Sequence, residues 1–130
     1  MNGCIEMRYA IVLLLLLFNI TCIKDDIPLT DLIPNRRWEV SYYIERTNGQ
    51  TKHYIDRYYR LEFIKDSITI ISQSGHTHKG VYDIVDDTLI ITSSHPYMTG
   101  VWQMIEYARW GYDTERITFK RDNIEIGLSN

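Results

Sequence analysis

The sequence predicts an all-β domain, an eight-stranded up-and-down meander barrel, preceded by an apolar leader and a tether. Three observations predict it. From Trp38 onward, apolar and polar residues alternate with period two, the spacing of a strand buried on one face. Turn residues break the alternation at regular intervals, at Asn48–Gly49, Lys65–Asp66, Ser74–Gly75, Asp86–Asp87 and Arg121–Asp122–Asn123. No stretch of ten or more residues in this region carries a helical stripe, and β-branched and aromatic side chains dominate it. Eight strands joined by hairpins remove both exposed edges by closing on themselves. At eight strands the interior holds side chains or one small ligand.

In the first strand, residues 38–45, Trp38, Val40, Tyr42 and Ile44 alternate with Glu39, Ser41, Tyr43 and Glu45, and Asn48–Gly49 turns the chain back. The second spans 54–64, with Tyr59, Leu61 and Phe63 on one face, and the third spans 67–72. The fourth, 76–85, puts Gly80, Tyr82 and Ile84 on a common face, and Asp86–Asp87 leads into the fifth at 88–92. A longer loop, 94–100, contains Pro96. The sixth strand runs over 101–110 between Gly100 and Gly111, the seventh over 116–120 and the eighth over 124–128.

Ahead of residue 38 the chain reads differently. Arg8 is followed by eleven mostly apolar residues, 10–20. A helix of that length reaches about 16 Å, roughly half the hydrocarbon thickness, so the segment predicts a signal peptide and not a membrane span. It runs directly into Thr21–Cys22–Ile23–Lys24–Asp25–Asp26. This junction resembles the processing site of bacterial lipoproteins, with Asn19, Ile20 and Thr21 in the looser pattern of Bacteroides-type bacteria. The resemblance implies cleavage before Cys22, lipid on that cysteine and an anchor in the outer membrane. Lys24, Asp25 and Asp26 resemble the export signal of surface lipoproteins in those bacteria, which implies an outward-facing protein. Three segments result: a lipoprotein signal peptide at 1–21, a lipid-anchored tether at 22–37 and a barrel domain at 38–130. Pro28 and Pro34 keep the tether out of regular structure, and the fifteen residues 23–37 extend up to roughly 50 Å. Residues 29–33 are alternatively a brief helix packed on the domain.

Composition narrows the function classes. The net charge is −3 with both signs interspersed, and no basic stripe exists to suit nucleic acid. Cys4 falls in the leader and Cys22 at the lipid site, so the barrel has neither a disulfide nor a thiol for chemistry. Gly-x-Ser-x-Gly, P-loop and His-Glu-x-x-His motifs are all missing, and Asp86–Asp87 reads as turn chemistry. These readings predict a protein that is not an enzyme and carries no cofactor. His76 and His78 share a strand face at an acceptable ligand spacing, but His53 and His95 could join them only if the fold brings them near, and no cysteine or carboxylate is spaced to complete a set, so no metal is expected.

The aromatic residues carry more information. Nine tyrosines and three tryptophans lie beyond residue 37. Alternation turns Tyr42, Tyr59 and Tyr82 inward, and Tyr43, Tyr58, Tyr97, Tyr107 and Trp110 are the better candidates for an outer or rim surface. Such rings, apolar with polar tips, suit sugars, flat ligands or protein partners. Arg57 and Arg60 flank Tyr58–Tyr59, as an anion clamp or as a solvated strand face. The candidate binding residues are therefore Tyr43, Tyr58, Arg60, Tyr97, Tyr107 and Trp110. Trp38 and Trp102 are expected inside the barrel and Trp110 outside it.

Trp38-x-Val40, Leu61-x-Phe63, Gly80-x-Tyr82-x-Ile84, Asp87-x-Leu89-x-Ile91 and the strand around Trp102 together resemble the pattern of small lipocalin-like bacterial lipoproteins. The resemblance spans most of residues 38–128. It implies a barrel that binds a small ligand or a partner without catalysis. An immunity or inhibitor lipoprotein aimed at a protein target is the competing reading. A Tyr- and Trp-lined pocket would favour the first, and a filled core with an aromatic, charged outer face the second.

Overall fold

The computed structural model describes residues 27–130. The leader, Cys22 and the Lys24–Asp25–Asp26 cluster lie outside the described residues. Among the described residues there are nine strands: β1 (Arg37–Thr47), β2 (Gln50–His53), β3 (Arg60–Ile64), β4 (Ser67–Ile71), β5 (Thr77–Val85), β6 (Thr88–Ser93), β7 (Gly100–Trp110), β8 (Thr114–Arg121) and β9 (Ile124–Ser129). Every pairing is antiparallel between neighbours, and β1 also pairs with β9 from Glu39↔Ser129 to Glu45↔Ile124. That last pairing closes an eight-stranded up-and-down barrel of β1 and β3 to β9, the architecture the alternation predicts. The ninth strand, β2, only extends the first hairpin, from Ile44↔His53 to Thr47↔Gln50.

The second expected strand, 54–64, is broken. A single 3-10 turn, Ile55–Arg57, interrupts it, and β3 begins at Arg60. Backbone bonds hold the chain on both sides of the break, from Tyr54 N–H to the Tyr43 carbonyl (2.9 Å) and from Val40 N–H to the Tyr59 carbonyl (2.7 Å). Tyr59 therefore stays inside while Ile55 is pushed out into solvent.

Two bulges correct the predicted strand faces. In β1 the register slips between Val40↔Leu128 and Tyr42↔Gly127, leaving Ser41 as the extra residue. A bulge adds one residue and inverts the alternation beyond it. Val40 points inward, and so does Tyr43, which is 1 % exposed, while Tyr42 turns outward and lies across Gly127. The Ser41 hydroxyl donates to the Gly127 carbonyl at 3.1 Å and accepts from Ser129 at 2.9 Å, satisfying polar groups where the ladder is disrupted. In β7 the slip lies between Met104 and Glu106. Ile105 is extruded to solvent, and Tyr107 turns inward instead of outward. Tyr59 and Tyr82 are buried as alternation predicts.

From Ile27 onward the segment follows the alternative to a tether, a brief helix packed on the domain. Leu29, Leu32 and Ile33 are fully buried, and α1 (Leu29–Leu32) closes one end of the barrel. The i, i+3, i+4 spacing of these apolar residues gives even one helical turn a face to bury. Loop 94–99 closes the other end with Met98, also fully buried. Each interior tryptophan ties one plug to the wall: Trp38 Nε1–H donates to the Leu32 carbonyl and Trp102 Nε1–H to the Met98 carbonyl, both at 2.9 Å. Trp38 and Trp102 are 0 % exposed, and Tyr43, Phe63 and Phe119 lie fully buried with them. The space an eight-stranded barrel encloses is thus occupied by its own side chains.

Candidate functional site

The barrel's concavity lies on its outer wall. Where β1, β3 and β9 run side by side, an open cleft of about 890 Å³ extends from the α1 end toward the loop after β4. Register builds its floor: Ile71 stands opposite Arg60, Arg60 opposite Glu39, and Glu39 opposite Ser129. These four share the outward face because Trp38 and Leu61, their strand neighbours, point in. Tyr58 and Gln73 wall one side, and Arg36, Arg37 and Asn130 the other end.

The cleft is basic. Three guanidinium groups line it, from Arg36, Arg37 and Arg60, and Glu39 is the one acidic side chain among the lining residues. Arg36 is engaged by Glu115, which also accepts a bond from the Tyr107 hydroxyl at 2.7 Å. Burial pushes the Glu115 carboxyl up, but the bonds from Tyr107 and Arg36 outweigh it and hold the group below its usual range. Arg37 has only a loose, exposed contact with Glu62 at 3.7 Å, and no ion pair involves Arg60 among the described residues. Hydroxyls of Ser41, Ser72 and Ser129 add further hydrogen-bonding groups. Chemically this is a set of donors suited to carboxylates and other anionic groups, with Arg60 free to make bidentate contact.

Beneath the cleft the wall is built of packed, hydrogen-bonded rings. The Tyr59 ring meets the His95 ring edge-on at 4.5 Å, and burial pushes the Tyr59 hydroxyl up to about 12. His95 Nδ1 accepts backbone N–H bonds from Tyr97 and Met98, both at 3.2 Å. Burial, then His78 and Arg57, bring its pKa down to about 4, so it is neutral at pH 7 with its proton on Nε2. His78 packs its ring at 4.9 Å from His95. Among the described residues no group of three or more His, Cys, Asp or Glu side chains is placed to hold a metal.

The six predicted binding residues are not brought together. Tyr58 and Arg60 line the cleft. Tyr43 and Tyr97 belong to a cluster at the far end, where the Arg57 guanidinium stacks on Tyr97 (3.5 Å), Tyr54 (3.9 Å) and Tyr43 (5.0 Å). Tyr43 also donates to the Tyr97 carbonyl at 3.3 Å, and Arg121 bonds to the carbonyls of Thr99 and Tyr97. These contacts hold the 94–99 plug in place, a structural task. Tyr107 is interior and serves Glu115. Trp110 stands alone of the six at the β7–β8 hairpin, 52 % exposed. Sequence reasoning misses Arg36, Arg37, Glu39, Ser41 and Ser129. The Arg36–Arg37 pair is the available signal, but it falls in the segment that reads as a tether. Comparison of this chain with protein-family models, with curated proteins and with solved structures finds no match.

Proposed function

We propose that this protein is a lipid-anchored, non-catalytic binding protein of the outer membrane that engages a partner protein through the outer wall of its barrel. The expected partner presents acidic side chains, as the target of an immunity or inhibitor lipoprotein could. One observation carries the choice between the two sequence readings. The interior is occupied by the barrel's own aromatic and aliphatic side chains, whereas a basic concavity opens on the outside. A ligand held within a barrel needs the space that Trp38, Trp102, Tyr43, Phe63 and Phe119 occupy. An open cleft with arginine on its floor and tyrosine on its wall has residue types enriched in protein-binding hot spots. The lipid anchor and surface address rest on Cys22 and on Lys24, Asp25 and Asp26.

Site-specific photo-crosslinking on intact cells tests the reading. A photoreactive residue at Tyr58 or Gln73 should yield one adduct of defined mass. The same residue at Val81 or Val101, on the wall formed by β5 to β7, should yield none. Arg60→Glu should abolish the adduct. Equal crosslinking from both walls, or an adduct indifferent to Arg60→Glu, would overturn the assignment of the cleft.

A further inference from the structure

The β7–β8 hairpin ends in an exposure that the fold does not require. Its ladder runs through to Trp110↔Thr114, and Gly111, with φ +64°, turns the tip. Trp110 is half exposed and Tyr112 fully exposed, with Arg109 and Arg116 at the surface beside them. The Arg116 guanidinium sits 5.7 Å from the Trp110 ring, on the side of the hairpin facing Tyr42.

The location of this tip gives it meaning. Antiparallel order puts the 111–113 turn at the barrel end that α1 plugs, together with the start of β1. Arg36, just beyond α1, pairs with Glu115, and Glu115 stands opposite Arg109 in the hairpin. The chain therefore enters the barrel beside the hairpin. Cys22 precedes Ile27 by five residues, which extend to at most about 18 Å. Lipid on Cys22 would hold this end of the barrel, and not the opposite one, against the bilayer.

We propose that the hairpin tip docks on the phospholipid membrane that carries the Cys22 lipid, with Trp110 and Tyr112 in the headgroup layer and Arg109 and Arg116 on lipid phosphates. Tryptophan and tyrosine favour that layer because their rings are apolar with a polar edge, and arginine reaches phosphate from it. Of the carboxylates at this barrel end, Asp113 is exposed in the tip itself, Asp31 lies in α1, and Asp66, Asp86 and Asp87 belong to the β3–β4 and β5–β6 turns. A barrel leaning on its β7–β8 side keeps the three turn aspartates away from the phosphates, and at the tip Arg109 and Arg116 outnumber Asp113. The inference rests on the lipid-anchor reading, and it adds an orientation in which the 94–99 end points away from the membrane.

The protein supplies its own reporter, because Trp38 and Trp102 are buried and Trp110 is not. Full-length protein purified from membranes is reconstituted in phosphatidylethanolamine–phosphatidylglycerol vesicles, with and without lipids brominated near the top of the acyl chain. Mass spectrometry of the same sample reads the acylation of Cys22. Acylated protein whose emission is quenched by brominated lipid, with the quenching lost in Trp110→Phe, supports the docked tip. Acylated protein with no quenching, or with quenching unchanged in Trp110→Phe, overturns the tip contact while leaving the anchor intact, and assigns the tip to a protein partner or a second copy. Protein without acyl chains overturns the anchor and the docking together.

Discussion

His95 makes acid sensitivity the most direct test of the packing under the cleft. The side chain is 5 % exposed, and its Nδ1 accepts two backbone N–H bonds, which fixes the neutral ring in place. Its folded pKa, about 4, lies below the ordinary 6.5. Between those values the unfolded chain binds a proton that the folded chain refuses, so stability falls as the pH falls. The gap from 6.5 to about 4, at about 1.36 kcal/mol per pH unit, amounts to about 3 kcal/mol, of which about 2 kcal/mol is lost between pH 7 and pH 5. The bonded carboxylates act lower on the scale. Burial pushes Glu115 and Glu125 up, but bonds from Tyr107 and Arg36 to the first, and from Arg46 and Tyr42 to the second, hold both below their usual value. Their stabilisation is intact at pH 5 and is lost only as the pH drops through those lowered values. His95→Asn separates the two effects. Asparagine Oδ1 occupies the place of Nδ1 on Cγ and accepts the same two N–H bonds without titrating near neutrality. The variant should be less stable at pH 7, having lost the ring contacts with Tyr59 and His78. Between pH 7 and pH 5 it should lose less than about 1 kcal/mol. Urea unfolding monitored by tryptophan emission at both pH values measures this. Equal losses in wild type and variant would show that the acid sensitivity does not arise at His95.

Two further outcomes test the strand faces. Trp38→Ala and Trp102→Ala should each cost about 3–5 kcal/mol by urea unfolding, whereas Trp110→Ala should cost less than about 1 kcal/mol; the reverse order would mean that the faces are inverted. Gly127→Ala places a Cβ within 2.2 Å of the Tyr42 ring, displacing it from Gly127 and from its 2.8 Å bond to Glu125, for about 1–3 kcal/mol. In a Tyr42→Ala background the same change should cost markedly less, and strict additivity of the two would refute the contact.

Period-two alternation from Trp38, with turn residues at Asn48–Gly49, Lys65–Asp66 and Asp86–Asp87, is enough to give the eight barrel strands, their antiparallel order and a barrel with Trp38 and Trp102 inside, but neither β2 nor the 3-10 turn that shortens β3. Those signals are local: a strand's two faces and a two-residue turn are specified by neighbours a few positions apart. The aromatic residues depend on something longer in range. Ser41 and Ile105 carry no signature of a bulge, and the extra residue is set by the register of β9 and β8 across from them. Each bulge inverts the faces of the residues beyond it, which sends Tyr43 and Tyr107 inward and leaves Tyr42 to cover Gly127. The plug at Leu29–Leu32 is likewise undecided in sequence, because one turn of helix has little stability until the barrel end offers it a surface to bury. Of the six candidate residues only Tyr58 and Arg60 reach the cleft. Its other parts, Arg36, Glu39 and Ser129, come from the two ends of the domain, at β1 and β9. Nothing nearer in the chain than the closing of the barrel itself could bring them together.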